Sequence, residues 1–277
     1  FILPGLIEEG EEAGLTINDV ADADKVDVAM RDYSGRSLCN WEEIAVMHQS
    51  GLVDFQSHGL HHALISISSK IVDFVHPEFD TNLYGNVHIP IYDDAEGGFS
   101  REKVLGHPIY QNAPRLSGKP RYRDAQEIRD LCAEHVRRHG GEDFFIRPQW
   151  RKELSSIAQH WISKHENAKQ CYETMEQTDN AIEQELVGSK LIIEKKLDKI
   201  VRHFCFPWFV ASNAAMYKLA ELGYVTAYLG MYTGHANGQG RQSVLTIKRV
   251  QEEYLNRLPG KGAISLLSVF KYKRNFA

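Results

Sequence analysis

The stretch Asp54-Phe55-Gln56-Ser57-His58-Gly59-Leu60-His61-His62-Ala63-Leu64 decides how the chain is read. Residues 53–56 are short, β-prone and alternating, the pattern of a strand end. Ser57 suits a cap, and Gly59 suits a tight turn. His58 and His62 are four apart, so on one helical turn they point the same way. Two neutral imidazoles on one face are a common start to a zinc site. Spacing alone leaves two readings open: a metal site, or chance clustering in a chain with 13 histidines.

The flanks set this stretch in a pattern. Upstream, Asn40-Trp41-Glu42-Glu43 predicts a helix start, with Asn40 as N-cap and Glu43 at the capping-box position. Ile44, Met47 and His48 follow at helical spacing, and Gly51 ends the helix. Residues 6–13 predict a short acidic helix, and residues 17–37 a polar loop. Downstream, residues 65–75 are apolar at helical spacing and predict a helix. From residue 76 to about residue 123 the pattern dissolves. Pro77, Pro90, Pro108, Pro114 and Pro120 punctuate a long excursion of the kind that is usually functional or disordered. Asp124 is placed to cap a helix over 125–139, closed by Gly140-Gly141, and Pro148 opens another to about residue 166.

The longest helical pattern covers 178–199, through Ile182, Leu186, Leu191, Ile192 and Leu197. Residues 200–206 predict a strand, stopped by Pro207-Trp208. Ser212 or Asn213 caps a helix that ends at Gly223. Residues 224–229 and 244–250 predict strands on either side of a Gly-rich loop at 230–242, and residues 263–272 predict a short apolar helix. Strands alternating with helices predict an α/β fold.

Composition sets the outer limits. A chain of 277 residues is one large domain or two small ones. Its 43% apolar and 25% charged residues are ordinary for a soluble globular protein. A net charge of −5 argues against a nucleic-acid surface. Lys and Arg gather at 147–152 and 195–199, where interleaved or flanking acids mark solvated helix faces. Four cysteines without a CxxC pair argue against a disulfide framework and suit a reducing, cytoplasmic setting. No apolar run approaches the ~18 residues of a membrane span. The chain opens on Phe1-Ile2-Leu3-Pro4, which reads as part of a buried strand. The expectation is therefore that an N-terminal piece, with any targeting signal, precedes it.

Three segments together resemble the polysaccharide deacetylase family (the NodB-homology domain, carbohydrate esterase family 4). The first runs from Trp41-Glu42-Glu43-Ile44 through Ser57-His58-Gly59-Leu60-His61-His62, similar to the family's helix, strand and "SHTxxHP" metal motif. The second is the helix over 182–197 feeding Phe204-Cys205-Phe206-Pro207-Trp208, similar to its "aYPYG" or "RPPYG" strand end. The third is the run 214–227, with Gly223-Tyr224-Val225-Thr226-Ala227, similar to its "lkeaGYxxA" helix and strand. The likeness covers roughly residues 1–67 and 178–249. It implies a distorted, incomplete (β/α) barrel with a largely helical insertion at 77–176, all within one N-terminally truncated NodB-like domain over 1–277.

The resemblance also implies a function. Family members mostly remove N- or O-acetyl groups from sugars, using a divalent metal, usually zinc, held by one Asp and two His. His58 and His62 fall on the two histidine ligands. The backbone N–H of Trp208 falls on the oxyanion donor, which gives Trp208 a catalytic role, and Pro207 and Trp208 are expected to bind substrate. The Trp208 ring could stack on a sugar, or could be a core aromatic beside a proline. His61 is expected to point away from the His58/His62 face. The inserted segment is expected to act as a lid or extra wall over a carbohydrate substrate.

The sequence departs from the family in three places. The "TFDDG" motif, which carries the base and the third ligand, is absent and is expected upstream of Phe1. Tyr92-Asp93-Asp94 lies in the wrong chain order to replace it and reads as an exposed turn. The arginine of the family's third motif falls on Cys205, which reads as a buried core thiol. The C-terminal histidine motif has no match, and His235 takes no role. These departures keep two alternatives open: a carbohydrate-binding relative without chemistry, and a C–N hydrolase acting on a non-sugar amide.

Overall fold

The computed structural model describes residues 1–7, 9, 39–79, 89–93, 99–100, 104–165, 171–230 and 244–249. In chain order its elements begin with helix α1 (Trp41–Gln49) and strands β1 (Leu64–Phe74), β2 (Tyr92–Asp93), β3 (Phe99–Ser100) and β4 (Pro108–Pro114). Helices α2 (Gln126–Arg138), α3 (Trp150–Lys164) and α4 (Met175–Leu197) follow. The chain then alternates β5 (His203–Cys205), α5 (Asn213–Glu221), β6 (Thr226–Leu229) and β7 (Leu245–Lys248).

Strands β5, β6 and β7 run parallel, each beside its predecessor. Ser57 extends this sheet by bridging in parallel to Phe204 on one side and to Ile2 on the other. The order Ile2, Ser57, β5, β6, β7 therefore follows the sequence. α1, α4 and α5 lie on the connections between the first four of these segments, because parallel neighbours need a crossover. The result is an open α/β sheet, with no closed barrel among the described residues. No described helix is long and apolar enough to cross a membrane.

One core lies between this sheet and its helices. α4 contributes Ile182, Leu186, Ile193 and Leu197, a stripe at helical spacing, against Phe204 and Phe206 from β5 and its exit, Leu219 from α5 and Trp41 and Ile44 from α1. Capping fixes the helix starts. Asn40 Oδ1 accepts the Glu43 N–H and Glu43 Oε2 accepts the Asn40 N–H, both at 2.9 Å, as the sequence predicts. Ser212 Oγ caps α5 by accepting the Ala215 N–H at 3.1 Å.

A second core forms where the end of β1 meets α2 and α3, from Phe74, Ile128, Cys132, Val136, Phe144, Trp150, Leu154 and Ala158. Here the sequence reading needs correction. Residues 65–75 are not a helix but most of β1, paired antiparallel with β4. Register shifts between Ser66 and Ile71 and between Ile71 and Asp73 break the alternation, so the period of two is lost from the sequence. In the excursion after residue 76 the described residues form β2, β3 and β4. Strand 52–56 shrinks to the bridged Ser57, and the Gln56 side chain replaces part of a ladder by accepting the Arg202 and His203 N–H groups, both at 3.0 Å. The exposed turn expected from Tyr92 begins instead as strand β2, with Tyr92 buried. The rest of that turn at 94–98, the loop at 17–37, most of the loop at 230–242, His235 and the helix at 263–272 lie outside the described residues. So does most of the helix expected at 6–13, where a 3-10 turn at Pro4–Leu6 is seen.

Asp124 does not cap α2. Ala125 holds that position, and the buried Asp124 carboxylate faces Arg129 instead, at 3.5 Å. Burial pushes the Asp124 carboxyl up to about 6, against the pull of Arg129. The ordinary value is 3.8, so between these two pH values the folded chain binds more protons than the unfolded one. Stability from this group is thus present at low pH and lost as pH rises towards 6. A rise of this size is worth on the order of 3 kcal/mol. Asp124→Asn is expected to remove that slope, read as the wild-type-minus-variant difference in denaturant unfolding free energy between pH 4 and 6.5. A constant difference across that range would refute it.

Candidate metal centre

Ser57 leaves the sheet at its carboxyl edge, where ligands of open α/β sheets bind. Its hydroxyl pairs with Ser189 of α4 and accepts the Gly59 N–H at 3.3 Å, closing a turn. Gly59 takes φ 88°, which a side chain would strain. The histidine run is therefore not the helical turn that the spacing suggests. It is an irregular loop, and the two imidazoles still meet, with ring centroids 5.1 Å apart.

His62 reaches that position with φ 53°, in the left-handed region that non-glycine residues rarely occupy. Trp208 and Phe209 adopt φ 55° and 61° in the 3-10 turn at Pro207–Phe209. The Trp208 ring lies 4.8 Å from that of His62, and its Nε1–H points to the His62 carbonyl at 3.4 Å. Of the four non-glycine residues with positive φ among the described residues, three line this edge. Each costs on the order of 1–3 kcal/mol, and such strain clusters at functional sites.

His58 has a defined protonation state. Its Nδ1 lies 2.6 Å from the Cys205 carbonyl oxygen, which can only accept, so Nδ1 carries the proton and Nε2 the lone pair. Burial, helped by the positive charge of Arg249, lowers His58 to about 4 despite that hydrogen bond. The imidazole is neutral at pH 7, as a ligand must be. A carbonyl on the far nitrogen is the usual way in which a protein orients a metal-binding histidine. The donor chemistry thus fits a borderline cation such as zinc at two positions. Among the described residues no group of three or more His, Cys, Asp or Glu side chains could hold a metal.

The remaining predicted residues fall as follows. Pro207 is buried beside Gly59, where a Cβ would meet its ring at 3.4 Å. Cys205 is buried, and burial raises its thiol. His61 is partly exposed, with Nδ1 2.8 Å from Glu185 Oε1. An arginine does reach the end of β5, but from the far end of β7. Arg249 donates to the Phe206 carbonyl at 3.0 Å, with its guanidinium 4.1 Å over the Phe209 ring.

Sequence reasoning missed Glu185. It is buried on α4, and one oxygen accepts the Leu60 N–H at 2.9 Å and the His61 N–H at 3.1 Å while the other faces the His61 ring. Burial works to raise this carboxyl, but the hydrogen bonds from His61 and Leu60 prevail and hold it below the usual range. Its signal was present in the sequence, as a carboxylate inside the apolar stripe Ile182, Leu186, Ile193.

The fold and site together define an α/β protein with paired histidines at the carboxyl edge of a parallel sheet. No family model matches the chain, and no curated protein matches it. Solved structures similar to it include two deacetylases. A de-N-acetylase from Aggregatibacter actinomycetemcomitans is 12% identical with a TM-score of 0.39, over 86% of this chain and 54% of that one. The BpsB deacetylase domain from Bordetella bronchiseptica is 12% identical with a TM-score of 0.35, over 78% of this chain and 50% of that one. The chain thus spans about half the length of these two proteins.

Proposed function

We propose that this protein is a metal-dependent hydrolase that removes acetyl groups from an amino sugar or polysaccharide, on a distorted (β/α) barrel of which the parallel sheet forms one part. The observation that carries the reading is the His58–His62 pair. Both rings meet at the carboxyl edge of the sheet, and His58 has its Nε2 lone pair turned away from the Cys205 carbonyl. The sequence resemblance supports the reading independently. In it, His58 and His62 hold the cation, with the remaining ligands drawn from outside the described residues. A divalent cation there supplies Lewis-acid polarisation of an acetamide carbonyl.

The chain's own residues have separate tasks in this reading. Cys205, through its carbonyl, keeps His58 in one tautomer. The backbone N–H of Trp208 donates to the oxygen that gains charge at the acyl carbon. The Trp208 ring forms a wall for a sugar face, whereas the Pro207 ring expected to share it is buried beside Gly59 and takes no part. The segment 77–176 is an insertion that forms a further wall and selects the acceptor.

The test is acetate release from N-acetylglucosamine oligomers by the metal-loaded full-length protein. Trp208→Ala is expected to raise KM about tenfold, a loss of about 1.4 kcal/mol of binding. An unchanged KM would remove Trp208 from the substrate site. Metal uptake without acetate release, with turnover of cyclic amides instead, would overturn the sugar reading. The thiol of Cys205, standing where the resemblance places an arginine, favours one other reading, a carbohydrate-binding relative without chemistry. Oligosaccharide binding without either turnover would select it.

A further inference from the structure

We infer that Glu185 is the positioning residue for the histidine turn, with Gly188 and Ser189 completing one face of α4 shaped to receive it. The three lie at i, i+3 and i+4 and so project from one side of the helix. Glu185 takes the two consecutive backbone N–H groups of Leu60 and His61 on a single oxygen, at 2.9 and 3.1 Å. Its other oxygen holds the His61 ring. Gly188 leaves room for Leu60, whose Cδ2 would lie 3.0 Å from any Cβ added there. Ser189 pairs with Ser57, the residue that leaves the sheet.

These contacts bracket His58 on both sides. Ser57 fixes where the turn departs, and the carboxylate fixes where it returns. The return determines where His62 lies relative to His58, since only His61 separates the Leu60 N–H from the strained His62. The grip is charge-assisted, buried and directed at backbone, the combination that makes a hydrogen bond strong and geometrically specific. A purely structural helix would need only apolar side chains here. As the partner of the turn rather than of a ligand, Glu185 acts on any bound cation through geometry alone. That consequence rests on the metal reading above, whereas the positioning itself does not.

The test separates the two. In metal-free protein carrying labelled histidine, a nuclear Overhauser effect between the His58 and His62 ring protons is expected. Glu185→Gln keeps an acceptor for both N–H groups and is expected to keep the effect. Glu185→Asp is one methylene short and Glu185→Ala has no acceptor, so both are expected to lose it. If the alanine variant does not fold, the aspartate variant reads the same point. Zinc titration of the same samples is expected to show a tenfold to hundredfold loss for Asp and Ala, and less than about threefold for Gln, in line with the cost of losing an orienting partner. Loss of the ring contact in a chain that binds no zinc at all would support the positioning role while refuting the metal reading. Retention of both the ring contact and wild-type affinity in Glu185→Asp would overturn the inference.

Discussion

His58→Ala and His62→Ala are each expected to lower zinc affinity at least about 100-fold in the full-length protein, read by competition with a chromophoric chelator. Losing an outer hydrogen-bond partner of a ligand typically costs 10–100-fold, and losing the ligand costs more. The expectation rests on the state of His58. Its ring is neutral, its Nδ1 proton is committed to the Cys205 carbonyl, and the other ring nitrogen is left as the donor. His61→Ala is the control. That ring pairs with Glu185 and takes no part as a ligand, so its loss should cost no more than about tenfold. Equal losses in all three variants would mean that the run acts as a basic cluster and not as a site.

The second large effect concerns stability. Arg115→Met is expected to destabilise the chain by roughly 3–5 kcal/mol, measured by denaturant unfolding. Arg115 follows β4, and its guanidinium lies 2.6 Å from Glu173 Oε2, with both side chains about 95% buried. Removing the cation leaves an uncompensated carboxylate in a low dielectric, where a lone charge is costly. Glu173 also accepts the Arg121 N–H at 3.1 Å. Arg115→Met combined with Glu173→Gln keeps that acceptor while removing the charge, and is expected to recover most of the loss. The Arg115 backbone donates to the Ala63 carbonyl at 2.9 Å, directly after His62, so the pair also anchors the exit of the histidine turn. An additive double variant, with no recovery, would show that the pair is not coupled.

The parts of the fold legible in the sequence are those fixed by local chemistry. Asn40 with Glu43, and Ser212 at α5, declare their helices because the cap and its partner lie within three residues. α4 is legible by its stripe, although the Thr174–Gln177 capping box starts it at Met175, three residues before the predicted 178. β1 was not legible, since its register shifts scramble the alternation that marks a strand. Nor was the path of the histidine turn. Spacing of four brought His58 and His62 together on paper through a helix, whereas the chain brings them together through a left-handed His62 and a carboxylate 125 residues away. That partnership depends on how α4 packs over Ser57, a long-range fact that no window of sequence contains. Asp124 misled for a related reason. A residue with cap chemistry next to a helix start was drawn inward by a buried arginine.

The most direct measurement is anomalous diffraction at the zinc edge from zinc-soaked crystals of the full-length protein. A single strong peak about 2.0–2.1 Å from one ring nitrogen of each of His58 and His62 is the expected result. Zinc bound elsewhere, or an empty His58–His62 pair at saturating zinc, would contradict the assignment of this turn as a metal centre.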